Sequence, residues 1–142
     1  MKVLLDTCVI VDALQKREPF CNAAMEIFLA CSRGDMQGAV TAKSLTDIYY
    51  LVRKSLHDEQ AARGVINKLY MLFEVQDTFA EDCQKALKSL MNDYEDAVMA
   101  ETAKRIEADY IVTRNLKDYR LSEVKVLSPQ ELFEKLKMEK SD

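Results

Sequence analysis

Histidine occurs once in the 142-residue chain, at His57, which excludes H-E-x-x-H motifs, multi-histidine zinc sites and zinc-finger spacings by counting alone. Any catalysis must run without imidazole. His57 lies where one helical pattern stops and the next starts, so it is assigned to a solvated loop. Three glycines and two prolines are too few for Gly/Ser linkers, disorder or a hairpin-rich all-β fold. With only Gly34, Gly38 and Gly64 available, no phosphate-binding P-loop, dinucleotide fingerprint or G-x-S-x-G elbow exists. Cys8, Cys21, Cys31 and Cys83 form no C-x-x-C pair and read as buried small hydrophobes rather than disulfides. No uninterrupted apolar run exceeds five residues, against the roughly 18 a membrane-spanning helix needs. Asp6 interrupts the N-terminal apolar run before it reaches the length of a secretory signal, so a cytoplasmic location is expected.

A hydrophobic fraction of 49% over this length suits one core. A single domain is expected over residues 1–138, with a frayed tail over 139–142. Twenty Lys and Arg against 24 Asp and Glu leave a net charge of −4, so the global field repels nucleic acid and any RNA contact must be local.

The unalternating apolar run Met1–Leu5 predicts a strand covered on both faces. Helical spacing follows from about Val9, then over Phe20–Arg33, Ser44–Leu56 and Asp58–Leu72, with Gln37–Thr41 and Phe73–Gln76 as strands between them. Thr78-Phe79-Ala80-Glu81 has capping-box form and predicts a helix bearing Cys83, Ala86, Leu87 and Leu90 at helical spacing. A further helix from about Tyr94 to Ala108 leads to strands at Tyr110–Val112 and Val124–Leu127. Ser128-Pro129-Gln130-Glu131 opens a terminal helix to about Met138. Strands alternating with helices imply an α/β fold, a three-layer α/β/α sandwich around a mainly parallel sheet of four to five short strands.

In such folds ligands bind beyond the carboxyl ends of the strands. The first strand ends in Asp6-Thr7 and the fourth in Thr113-Arg114-Asn115, with Asp118 one turn on, while helices entering the same region carry Asp47 and Asp96. Carboxylates, a hydroxyl and an amide suit a hard cation such as Mg²⁺ or Mn²⁺, and crowded carboxylates without one repel. Such a site matches phosphodiester hydrolysis. A haloacid-dehalogenase type phosphatase is rejected because Cys8 stands where its second aspartate belongs. Each acid also has a bland reading: Asp6 and Asp93 as helix caps, Asp47 within a capping pattern from Ser44, and Asp96 as a first-turn acid. Asp12 is assigned to the solvent face of the first helix and Glu95 to water. Arg114, Lys117 and Arg120, with Lys43 and Arg53-Lys54, supply a local basic rim.

Four segments carry a resemblance to the PIN-domain ribonucleases, and among them to VapC-like toxins of toxin–antitoxin systems. Leu4-Leu5-Asp6-Thr7-Cys8-Val9-Ile10-Val11-Asp12 is similar to the family's opening strand and first acid. Thr41-Ala42-Lys43-Ser44-Leu45-Thr46-Asp47 resembles the helix with the second acid, Asp93-Tyr94-Glu95-Asp96-Ala97-Val98 the third, and Tyr110-Ile111-Val112-Thr113-Arg114-Asn115-Leu116-Lys117-Asp118-Tyr119 the fourth. Asp47 stands where the family commonly has Glu, and Asn115 where an acid often sits. The resemblance implies metal ligation by Asp6, Asp96, Asp118 and Asp47 with Thr113 and Asn115 beside them, and RNA cleavage leaving a 5′-phosphate and a 3′-hydroxyl. It further implies a homodimer restrained by a small antitoxin protein. Alternatives are a degenerate PIN scaffold that binds RNA or protein without cutting, and a nuclease acting on structured DNA.

Overall fold

The computed structural model describes residues 1–141. Five strands, β1 (Lys2–Leu5), β2 (Gln37–Thr41), β3 (Glu74–Gln76), β4 (Tyr110–Val112) and β5 (Val126–Leu127), form one parallel sheet in the order β3-β2-β1-β4-β5. Alternation along β1 sorts the core into two layers. Val3 and Leu5 join one cluster with α1 (Thr7–Leu14), α2 (Cys21–Ser32), α3 (Ala42–Leu56), α4 (Glu59–Leu72) and α7 (Pro129–Ser141). Leu4 points the other way, into a smaller cluster with α5 (Ala80–Ala86) and α6 (Tyr94–Arg105). The α/β/α sandwich expected from alternating elements is therefore the observed fold.

Helix starts follow local chemistry. Asp58 caps α4 and Asp93 caps α6, each carboxylate accepting the backbone N–H three residues on. Ser128 and Glu131 form a reciprocal box at α7, with Glu131 N donating to Ser128 Oγ at 3.1 Å and Ser128 N to Glu131 Oε1 at 3.0 Å. α7 continues through Ser141, past the expected start of the tail at Glu139, and Asp142 lies outside the described residues. His57 ends α3 in a left-handed conformation, exposed as expected.

Two expectations are corrected. The box at α5 is shifted by one residue, because the Asp82 carboxylate reaches back to accept the Phe79 N–H at 2.9 Å and Thr78 stays outside. α5 stops at Ala86, leaving Leu87 73% and Leu90 82% exposed, so their helical spacing reflects no buried stripe. Among the described residues no helix is long and apolar enough to cross a membrane.

Gly38 on β2 is a packing requirement. A Cβ there would lie 2.6 Å from Cys31 Sγ and 2.9 Å from the Phe73 ring, which is itself edge-on to Phe28 at 5.0 Å. Gly38→Ala is expected to cost about 2 kcal/mol, a fall in melting temperature of about 5 °C. An unchanged melting temperature would show that Cys31 and Phe73 give way freely.

Candidate active site

The strand order reverses between β1 and β4: β2 and β3 extend the sheet on one side of β1, and β4 and β5 on the other. Such a switch point opens a crevice at the carboxyl ends of the two strands. Leu5 pairs with Val112, which sets Asp6 beside Thr113. Asp6 N donates to Val112 O at 2.9 Å. Asp6 Oδ1 accepts the Thr7 N–H at 2.8 Å, so the capping reading is true in part, while Oδ2 accepts the buried Thr113 hydroxyl at 2.9 Å. That hydroxyl in turn accepts the Asn115 N–H at 3.1 Å.

Asp96 arrives in the first turn of α6. Ala97, Ala100 and Ala103 are buried on that helix, and their small side chains let it lie close to the sheet. The buried Tyr119 hydroxyl stands 3.2 Å from Asp96 Oδ1 and 3.5 Å from Asp6 Oδ2, linking the two carboxylates through a single proton. Burial pushes Asp6 above the usual carboxylate range despite hydrogen bonds from Thr113, Thr7 and Tyr119. Burial also pushes Asp96 up to about 6, reinforced by the negative charges of Asp93, Asp6 and Asp118. The Tyr119 phenol is driven far upward by burial and then by Asp6 and Asp96, so it stays protonated and remains a donor. Neither Asp6 nor Asp96 has an ion-pair partner among the described residues.

A cavity of about 230 Å³ opens beside Asp6, with Asp47, Lys43 and Glu95 among its lining residues. Asp47 does not join the hydrogen-bonded network. Its carboxylate pairs with Lys43 Nζ at 3.3 Å, and the same ammonium lies 3.7 Å from Glu95. Asp118 is exposed on a 3₁₀ turn at Leu116–Tyr119, where its charge still raises Asp96, and Asn115 is exposed just before that turn. Of the six residues expected at the site, Asp6, Asp96 and Thr113 thus share one network, Asp47 lines the cavity beside it, and Asp118 and Asn115 lie at the edge. Among the described residues no three carboxylate, imidazole or thiol groups stand close enough to enclose an ion unaided.

Three features went unread. Tyr119 follows Asp118 directly, and a large aromatic in a segment crowded with polar residues was the available sign. Glu95, assigned to water, is exposed but also lines the cavity. Asp12, assigned to solvent, is 1% exposed and bound by Arg114 through Nε at 2.6 Å and Nη2 at 3.1 Å.

The family profile described as PIN domain matches residues 2–117. A comparison with curated protein sequences found no match. Among solved structures, VapBC2 from Rickettsia felis, bound to a DNA fragment from its promoter, is 20% identical with a TM-score of 0.65, over 90% of this chain and 98% of that one. A toxin–antitoxin complex from Klebsiella pneumoniae is 20% identical with a TM-score of 0.66, over 89% and 97% of the two chains. VapC20 from Mycobacterium tuberculosis, described as a sarcin-ricin loop cleaving toxin, is 11% identical with a TM-score of 0.64, over 87% and 98%. At these identities the likeness is one of fold.

Proposed function

The chain belongs to the PIN-domain family, and from that premise we propose that it is a metal-dependent endoribonuclease of the toxin type, hydrolysing RNA phosphodiester bonds. One observation carries the reading. Asp6 and Asp96, both raised in pKa, face each other across a single phenol with no basic partner among the described residues. Buried carboxylates of this kind, with Asp96 raised further by the charge of Asp6, call for a cation.

Asp6, Asp96 and Asp118, with Asp47 along the cavity and Thr113 and Asn115 alongside, would hold Mg²⁺ or Mn²⁺ or its waters. The donors are all oxygen, as hard cations require. When bound, the ion supplies a water of lowered pKa and neutralises charge on the phosphate. The protein's own part is orientation: Thr7 N–H and the Thr113 hydroxyl fix both oxygens of Asp6, and Tyr119 keeps a proton between the acids. The products would be a 5′-phosphate and a 3′-hydroxyl, and the protein would act in the cytoplasm as a homodimer. A small antitoxin protein is the proposed partner, supported by structural neighbours that are themselves toxin–antitoxin complexes.

The test is cleavage of a mixed-sequence RNA with Mn²⁺, beside an EDTA lane and an Asp6→Asn/Asp96→Asn double variant. Cutting is expected to vanish in both controls; cutting that persists in the variant sinks the proposal. A second reading, a scaffold that binds without cutting, draws on the Lys43 ammonium already placed between Asp47 and Glu95. Calorimetric titration with Mn²⁺ separates the two. Heat that disappears in Asp6→Asn supports the nuclease, and no heat at millimolar metal supports the scaffold.

A further inference from the structure

An acidic crevice on a chain of net charge −4 must still hold a polyanion against its own carboxylates. A fixed cation next to them meets that need, and one is built in. Asp12, on α1, is 1% exposed and accepts two hydrogen bonds from Arg114, at 2.6 and 3.1 Å, in bidentate form. A second guanidinium, that of Arg17, lies 3.9 Å from the same carboxylate and is itself braced by Gln15 at 2.9 and 3.2 Å.

One buried carboxylate between two guanidiniums leaves a unit of positive charge over. The Arg114 guanidinium also stacks on the Phe20 ring at 4.3 Å, which fixes its plane from a second side. Its side chain remains 28% exposed, and its third nitrogen, Nη1, donates to no group among the described residues. Arg114 directly follows Thr113, whose hydroxyl holds Asp6, and the charges of Arg114 and Asp6 lie close enough to attract. Lys117 and Arg120 on the same segment are exposed and have no ion-pair partner among the described residues, so they lack this bracing.

We propose that Arg114 binds an RNA phosphate beside Asp6 and Asp96, and that Asp12, with Arg17 and Phe20, is the frame that positions it. The inference rests on the nuclease reading for its substrate class. Arginine suits the task because its fork can grip Asp12 with one edge and a phosphate with the other.

The experiment measures binding of a fluorescein-labelled, mixed-sequence single-stranded RNA in EDTA, where no cutting occurs, over a range of salt. Arg114→Gln is expected to weaken binding about tenfold and to reduce the salt slope by about one. Asp12→Asn removes a negative charge, so charge alone predicts tighter binding, whereas loss of positioning predicts weaker binding by about threefold or more. Weaker binding is expected. Arg114→Lys restores the salt slope but not the full affinity, and serves in place of glutamine if that variant fails to fold.

RNA affinity equal to wild type in the folded Arg114 variant, or tighter binding by Asp12→Asn, overturns the inference. The two proposals fail separately. A protein that never cuts RNA, yet loses RNA affinity in Arg114→Gln, keeps the phosphate site and loses the nuclease reading. Metal-dependent cutting with unchanged RNA affinity does the reverse.

Discussion

Replacing Asp6 and Asp96 together with asparagine is expected to lower RNA cleavage by about 10³-fold or more while raising the melting temperature. The first effect follows from removing charges that would hold the metal, since several kcal/mol of lost stabilisation corresponds to about three decades in rate. The second follows from the carboxylates' own energetics. Asp96 is pushed up to about 6 from an ordinary 3.8, chiefly by burial and then by Asp93, Asp6 and Asp118. A folded-state value above the unfolded one means that stability is greatest below the unfolded value and is lost as pH rises through the folded one. Discounted for solvent screening at this partly buried position, the effect is worth about 1 kcal/mol. The Asp96→Asn gain is therefore expected to be about 3 °C near pH 7 and to fade toward pH 4. Thermal unfolding of both proteins at the two pH values checks it. A variant less stable than wild type near neutrality would show that the carboxylates brace the fold instead of straining it.

Arg105→Ala is expected to destabilise the protein by about 3–5 kcal/mol, because it strips the partner from a buried carboxylate. Asp82 is 1% exposed and receives Arg105 Nε at 3.0 Å and Nη2 at 3.0 Å, with the Thr102 hydroxyl at 3.0 Å and Phe79 N at 2.9 Å. Arg105 also donates to the Asp77 carbonyl at 2.6 Å and lies over the Phe79 ring at 3.8 Å. Burial pushes Asp82 up, but the hydrogen bonds from Arg105, Phe79 and Thr102 win and hold it below the usual range. Stability from this cluster is thus present above about pH 4 and lost as pH falls through the lower folded value. Since ordinary domains have only about 5–15 kcal/mol in hand, the loss should loosen α5 from α6 and with it Asp96, even though no acid of the site is altered. Urea unfolding, with amide exchange over Ala97–Ala103, measures the effect. A change below about 1 kcal/mol would mean that water solvates Asp82 once Arg105 is gone.

The fold was legible because its signals are local. β2 and β4 fall on the expected bounds, Gln37–Thr41 and Tyr110–Val112, and the Asp58, Asp93 and Ser128 caps lie within three residues of the amides they satisfy. Where the structure departs from expectation at Asp12, Asp82 and Tyr119, the cause is a partner distant in sequence. Asp12 reads as solvated because its place on the first helix gives no sign of burial, and its bidentate partner Arg114 comes from 102 residues away. Asp82 displaced Thr78 from the cap because Arg105, 23 residues on, fixes its carboxylate. Tyr119 links acids 113 and 23 residues away, and no periodicity encodes such a span. The acids themselves were readable as strand ends and first-turn residues; how the structure divides them between network, cavity and edge was not.

The pairing of Asp6 with Thr113 across 107 residues also sets a clock. At a translation rate of about 5–20 residues per second, Thr113 is added some 5–20 s after Asp6. Until then the growing chain holds no more than α1 to α6, without the turn bearing Tyr119, so Asp6 and Asp96 have no common proton and Asp12 no Arg114. A chain that stops short of β4 therefore lacks the contacts that hold the two carboxylates together. The crevice takes its final form only once the segment from β4 to Tyr119 has been added.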